Sequence, residues 1–388
     1  MTQSGSRNDS DHRVALVRCE NYQDVLSSLS YGLDLLGGIE GFCEPGEKLL
    51  LKPNLLVGDK PEHGTTTHPA VFEAVAQLFA DRGASLSYGD SPGVGSLQLT
   101  ARMAGLDAIA QNLGVKQADF GTLLDTPYPN GILLKHFQIA KGLSEVDSVI
   151  NLPKFKTHGL TRLTGAVKNL FGCLPGVQKS GFHARLPDEF QFASMLIDLA
   201  ELIAPRLHIM DGVVGMEGNG PRNGHVRKVG VIILSANPHA LDYCMARIMN
   251  LDPTLVPTLK VAQAHGLLQP DRVTILGDPI EAFVIEDFDA NRSRLSTTGT
   301  QWFYMRMLKQ WVTPRPVIIA EKCTRCGRCV RVCPVTPKAI EFHNSRKEPP
   351  QYNYHRCIRC YCCQEMCPDE AISIKTPLLG KVVRNLKI

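Results

Sequence analysis

The 388-residue chain predicts an α/β protein, a mostly parallel sheet flanked by helices, followed by a small cysteine-rich α+β domain at its C-terminal end. Two observations predict the first part. Short apolar runs alternate with helix-length segments across residues 13–290, joined by brief polar loops, which is the pattern of strand-helix-strand units. Several of those runs lead directly into polar turns, where open α/β sheets collect ligands. The second part rests on one duplicated run, C-x-x-C-x-x-C-x-x-x-C-P. It occurs as Cys323, Cys326, Cys329, Cys333, Pro334 and again as Cys357, Cys360, Cys363, Cys367, Pro368.

In chain order, residues 1–12 are polar and lack an apolar leader core, which predicts a disordered N-terminus and argues against secretion. Residues 14–19 and 48–56 read as strands, the second carrying Lys52, Pro53 and Asn54. A helix follows over 69–82, with Pro69 in its first turn, Thr67 or His68 as cap, and Gly83 as stop. The strand 84–88 runs into Gly89-Asp90-Ser91-Pro92-Gly93, so Lys52, Asp90 and Ser91 fall at site positions, although such a turn needs no function to explain it. Residues 98–113 look helical, 132–139 extended, and 146–152 a buried strand.

The next segment carries Lys154, Lys156 and His158, which face one side if the chain stays extended past Pro153. A helix is then expected from about Thr161. Between Ser148 and Pro187 there is no Asp or Glu, yet Lys154, Lys156, Arg162, Lys168, Lys179 and Arg185 all occur, with His158 and His183. Cations without counter-ions are costly unless exposed or neutralised by something bound, and a strand end followed by a helix N-terminus is where anions are held. The readings are a pocket for a phosphate or carboxylate and a solvated basic surface. The interleaved Phe155, Leu163, Val167, Leu170 and Phe171 favour the pocket. Lys156, His158 and Lys168, with Asp90 as acidic partner, are the candidate catalytic residues.

Beyond it, 188–203 reads as a helix, 207–214 as a strand, 215–221 as a glycine-rich loop, 230–235 as a strand, 238–250 as a helix and 272–276 as a last strand. The loop lacks the dinucleotide and P-loop fingerprints, which excludes a nucleotide claim. No stacking-aromatic motif joins the basic residues, which excludes nucleic acid as a partner. No apolar run reaches eighteen residues, so no spanning helix is predicted.

The duplicated cysteine run resembles that of bacterial two-cluster ferredoxins, and the resemblance implies that the fourth cysteine of each run ligates the other run's cluster. On that rule Cys323, Cys326, Cys329 and Cys367 hold one 4Fe-4S cluster, and Cys357, Cys360, Cys363 and Cys333 the other. Zinc fits three closely spaced cysteines per run poorly, and a disulfide framework suits short secreted chains. Cys362 reads as a small buried hydrophobe, a spare thiol or an alternative ligand. Such clusters, in a chain of thirteen cysteines, point to a reducing cytoplasm.

Lys52-Pro53-Asn54, Gly89 to Gly93, the segments 152–169 and 211–221, and the two-cluster tail together resemble the iron-sulfur branch of the "domain of unknown function 362" family. The resemblance implies a redox context and cluster binding, and marks the motif residues as candidate site positions without assigning roles.

The domain reading is a disordered start (1–12), an α/β body (13–290), a docking helix and linker (291–316), a two-cluster ferredoxin-like domain (317–376) and a basic tail (377–388). The stretch 301–312 holds both tryptophans and has a narrow polar stripe of Arg306, Lys309 and Gln310. It reads as a helix docking the cluster domain, or with Lys381, Arg384 and Lys387 as a peripheral membrane anchor. From Arg315 onward there are 14 Lys and Arg against 6 Asp and Glu, a basic domain on a mildly acidic body. The two attract each other, or the basic domain meets an acidic redox partner. The functional expectation is two clusters passing electrons to a small anionic substrate in the body. The alternatives are an electron-transfer or cofactor-assembly module without substrate chemistry of its own, and a binding protein with structural clusters.

Overall fold

The computed structural model describes residues 12–176, 178–293, 314–343 and 345–378. Residues 1–11 of the expected disordered start, the 301–312 helix and the basic tail from 379 lie outside these residues, while His12 is buried and accepts from Gln269 N. Within them, the body's strands are β1 (Arg13–Arg18), β2 (Lys48–Pro53), β3 (Ser85–Tyr88), β4 (Lys116–Gln117), β5 (Leu123–Pro127), β6 (His136–Ala140), β7 (Ser148–Leu152), β8 (Lys154–His158), β9 (Arg162–Thr164), β10 (Leu207–Glu217), β11 (His225–Ser235) and β12 (Thr274–Gly277). The main sheet runs β12-β1-β11-β10-β7-β2-β3-β4. Only β11 is antiparallel to its neighbours, β1 and β10; every other pair along this path is parallel. Central strands are apolar without alternation, as in Leu49, Leu50 and Leu51, all fully buried, because both faces are covered.

The helices are α1 (Val25–Leu35), α2 (Pro69–Asp81), α3 (Leu97–Met103), α4 (Leu106–Asn112), α5 (Ala166–Asn169), α6 (Gln178–Arg185), α7 (Glu189–Ile203), α8 (Pro238–Ile248) and α9 (Pro257–Ala264). They pack in two groups, α1 with α2 and α4, and α5, α7, α8 with α9. The His68 imidazole caps α2 by accepting from Ala70 N, and Asp198 in α7 accepts from the backbone N–H groups of Leu133 and Leu134, fixing the loop of the β5-β6 hairpin.

Three expectations are corrected. The segment 98–113 is two helices, because Gly105 takes a left-handed φ of 77° between them. No helix starts at Thr161; the chain reverses instead, and β9 pairs antiparallel with β8 before α5 begins at Ala166. Strands β10 and β11 run on as a long hairpin, so the expected 215–221 loop is confined to its turn. That turn needs small residues: a Cβ at Gly220 would lie 2.4 Å from the Thr157 carbonyl oxygen.

The small domain is closed by β13 (Arg315–Ile318) pairing antiparallel with β16 (Ile372–Lys375), and holds a second pair, β14 (Ile340–Glu341) with β15 (Gln351–Tyr352). Its internal duplication extends to the backbone. Positive φ recurs 34 residues apart, at Arg325 and Arg359 and at Gly327 and Tyr361, where each cysteine loop curls on itself.

Candidate functional site

The eight motif cysteines surround two small voids. One is lined by Cys323, Cys326, Cys329 and Cys367, the other by Cys333, Cys357, Cys360 and Cys363. Each void gathers three cysteines of one run and the fourth of the other. Three closely spaced thiols from one run and a fourth from the other suit a four-iron core. Backbone donors already point at the fourth cysteines, Ala339 N to Cys333 Sγ at 3.4 Å and Ala371 N to Cys367 Sγ at 3.3 Å, and the Tyr352 hydroxyl donates to Cys363 Sγ at 3.1 Å. Such hydrogen bonds favour thiolate ligands and tune cluster potential. The donor set fits two 4Fe-4S clusters.

Beside the second void lies a cavity of about 430 Å³ at the C-terminal ends of β2 and β3, the position that parallel sheets reserve for ligands. The body contributes Lys156 and His158 from β8, Thr164 from β9, Lys168 from α5, Lys179 and His183 from α6, and Asp90 from the turn after β3. The cluster domain closes the other side with Arg331, Val332, Cys362, Glu365 and Met366. Val332 and Cys362 are chain neighbours of Cys333 and Cys363 at the second void, and Met366 neighbours Cys367 at the first. Leu56, Val94 and Phe171 make part of the lining apolar.

Three lysines face this cavity in different states. Lys156 is fully buried and donates to Asn54 Oδ1 at 2.9 Å and to the Thr65 carbonyl at 2.6 Å. Burial, reinforced by Lys154 and Lys168, pulls its ammonium down to about 7. Lys179 donates to Ser91 Oγ at 3.0 Å and to the Ser91 and Pro92 carbonyls, and burial lowers it to about 8. Lys168 has no hydrogen-bond acceptor among the described residues; its Nζ sits 4.5 Å from the centre of the Phe171 ring, and burial lowers it.

His158 Nδ1 accepts from Leu160 N and Thr161 N, at 3.0 and 3.2 Å, so the ring proton belongs on Nε2. That Nε2 lies 3.2 Å from Glu365 Oε1, off the line a hydrogen bond needs, and burial lowers the imidazole. Burial also keeps His183 neutral, at about 3, stacked on Phe192 with ring centres 4.5 Å apart. His183 Nδ1 and Thr164 Oγ1 are buried without hydrogen-bond partners among the described residues. Unpartnered buried polar atoms around one cavity are the mark of a missing ligand or water.

Lys156, His158, Lys168 and Asp90 therefore share one cavity, but Asp90 is committed. Its Oδ1 lies 2.9 Å from Lys52 Nζ and accepts from Ser91 N, while Oδ2 accepts from Leu55 N at 2.6 Å. It is a positioning carboxylate. Lys154 turns to Asp211 Oδ2 at 2.7 Å and to the Tyr22 hydroxyl at 2.9 Å, away from the cavity. Arg162 donates to the Asn291 carbonyl at 2.9 Å, and Arg185 lies over Phe182. The expected anion site at a helix N-terminus is closed: Asp242 of α8 accepts from Ala166 N and Val167 N at the start of α5. Burial raises that carboxyl to about 7. Glu365 went unread in the sequence, though it is the one carboxylate inside the second cysteine run.

Gly172 explains part of the packing. A Cβ there would stand 1.8 Å from Asp90 Oδ1 and 2.8 Å from Lys52 Nζ. Gly172→Ala should therefore destabilise the fold by about 1–3 kcal/mol, read by denaturant unfolding, because the pinned ion pair must move. Cys362→Ala should leave iron and sulfide content at the parental level, since its thiol belongs to the cavity wall and to neither void.

The two domains meet through amides as much as charges. Gln364 Nε2 donates to the Asn219 carbonyl at 2.7 Å, Asn223 Nδ2 to the Gln364 carbonyl at 3.1 Å, and Arg222 to the Cys367 carbonyl at 3.3 Å. At the cavity the cluster domain brings Glu365 and Arg331, and the body brings Asp90 and three lysines, so both domains carry both signs there.

Residues 49–247 match the family described as "Domain of unknown function (DUF362)", and residues 315–368 match one described as "4Fe-4S dicluster domain". A thylakoid-associated protein of Synechocystis sp. is 35% identical over 311 residues, covering 76% of this chain and 96% of that protein. An uncharacterized ferredoxin of Methanocaldococcus jannaschii is 37% identical over 59 residues, covering 15% of this chain and 75% of that protein. The lactate racemase apoprotein of Thermoanaerobacterium thermosaccharolyticum is 12% identical, with a TM-score of 0.37 over 61% of this chain and 58% of that one, a likeness too slight to bear on activity.

Proposed function

The chain belongs to the family of the domain of unknown function 362 and carries a 4Fe-4S dicluster domain, and from that premise we propose that it reduces a small organic anion held in the cavity between body and cluster domain. The clusters, when bound at the eight cysteines, supply single electrons. One observation carries the proposal: a single cavity is walled by three lysines of the body and by Val332 and Cys362, which flank second-cluster ligands. A carrier that only relays electrons has no use for such a cavity.

The residues divide the work. Lys168, free of acceptors, holds the anionic group of the ligand, and Thr164 and His183 offer it buried hydrogen-bonding atoms. Lys156, poised at about 7, is the general acid that protonates the ligand as electron pairs arrive. His158 carries its ring proton on the Nε2 side and supplies or relays a second proton. Asp90 and Lys52 position the turn and Asn54. The chemistry calls for a reducing compartment, and a cytoplasmic location stays part of the proposal. Among the described residues no helix is long and apolar enough to cross a membrane.

The test is to purify the protein anaerobically, identify the copurifying small molecule and follow its reduction by parent, His158→Ala and Lys168→Ala. Slowing of about 10²–10⁴-fold in variants whose clusters still reduce fits loss of an acid or anchor. If the variants sustain reduction at the parental rate, or no organic anion binds, the module without substrate chemistry is the better reading.

A further inference from the structure

The two cysteine runs differ in what surrounds them. Cys326, a first-cluster ligand, is the only exposed cysteine of the eight. The second cluster's ligands are buried or half-buried, and their neighbours Val332 and Cys362 face the cavity. Charge follows the same division. From Glu321 to Glu348 there are seven Lys and Arg against three Glu. In the second run, Arg359 is buried, 5.0 Å from the centre of the Tyr354 ring, leaving Arg356 exposed.

The cations of the first run form a surface around Cys326. Arg346 lies over Gly327, its NH2 3.3 Å from where a Cβ would be, and partly covers Phe342. Arg325 donates to the Lys347 carbonyl at 2.8 Å, which ties the two cationic segments together. Arg325, Arg346 and Lys347 are all exposed, and none of the three pairs with a carboxylate among the described residues. The acids on the other flank are engaged: Asp369 accepts from the Thr324 hydroxyl, and Glu370 lies 3.9 Å from Lys322. Glu321 and Glu348 are exposed too, but the balance of charge beside the exposed ligand is positive.

We propose that this surface docks an acidic one-electron carrier protein, and that electrons enter the molecule at Cys326. An exposed cluster ligand beside unpaired cations suits a partner that must bring a redox group close, and opposite charge speeds encounter without holding the complex long. Nucleic acid would use stacking aromatics, and Phe342 is covered by Arg346. Each docking passes one electron, leaving the carrier oxidised by one electron and the dicluster domain reduced by one. Two dockings supply the pair that reduction of an organic ligand consumes.

The probe is a bacterial flavodoxin, an acidic flavoprotein that donates one electron, titrated against the anaerobic cluster-loaded protein at low and high salt. The parent should bind it, and binding should weaken steeply with salt. Arg346→Glu and Lys347→Glu should each weaken it about tenfold at low salt, with reduction slowed to match and reduction by dithionite unchanged. Arg356→Glu, beside the second run, should bind as the parent does. Equal binding by all four proteins overturns the proposal, as does a larger loss in Arg356→Glu. Slowed dithionite reduction in the Arg346 or Lys347 variants would also count against it, by showing damage to the cluster. So would these variants losing affinity for anionic phospholipid vesicles while flavodoxin binds none of the proteins. No readout involves the cavity ligand, so failure here leaves the reductase reading standing, and the reverse.

Discussion

Alanine at Cys333 removes about half of the iron from anaerobically purified protein, roughly four atoms of eight, because a 4Fe-4S cluster does not survive loss of a ligand in place. Pairs of substitutions show which cluster is lost. Cys333→Ala with Cys360→Ala strikes one void twice and should cost no more iron than either change alone. Cys333→Ala with Cys326→Ala strikes both voids and should empty the chain. If each run held its own cluster, the two double variants would exchange results. Iron and sulfide assays with low-temperature electron paramagnetic resonance read the outcome directly.

The duplicated run was legible from its spacing; the crossed assignment is what the ferredoxin resemblance implies, and the double variants test it. Strands β2, β3 and β7 were legible for a similar reason, being apolar runs closed by polar turns. The cavity was half legible. Side-chain alternation put Lys154, Lys156 and His158 on one side of β8, and they are all buried there. It could not show that Asp211, 57 residues on, claims Lys154 through the β8-β10 pairing. Nor could the acid-free stretch disclose its acids. Asp242 and Glu365 come from elsewhere in the chain, one capping α5 and the other carried in by domain docking. Those are tertiary placements with no local signal, and they turned the expected helix N-terminal anion site into a closed cap.

The second large effect concerns Lys156. With its ammonium lowered to about 7 in the ligand-free fold, it is cationic below that pH and neutral above it. An anion in the cavity favours the cation, so ligand binding should take up a proton near pH 7, seen as a buffer-dependent heat in calorimetry. Ligand-induced stabilisation, about 2.7 kcal/mol at 100 times Kd, should be largest below pH 7 and fade as pH rises through it. Lys156→Met should weaken binding by at least about thirtyfold, the cost of leaving a buried charge partner unmatched. The ligand-free protein shows the opposite trend from this group. Because its folded value lies below the ordinary lysine value, its contribution to stability is fully present only above about 10.4 and is lost as pH falls through 7. Lys156→Met should therefore melt higher than the parent at pH 6 without ligand, and gain less than the parent when ligand is added.

The most direct measurement is a single turnover. The protein is reduced anaerobically, freed of excess reductant and mixed with its copurified anion, while cluster absorbance and product are followed together. Transfer into the cavity predicts that both clusters reoxidise with formation of one reduced molecule for every two electrons lost, and that Lys156→Met and Lys168→Met stay reduced under the same conditions. Clusters that remain reduced in the parent while the anion is bound, or that reoxidise equally in the variants, would contradict it.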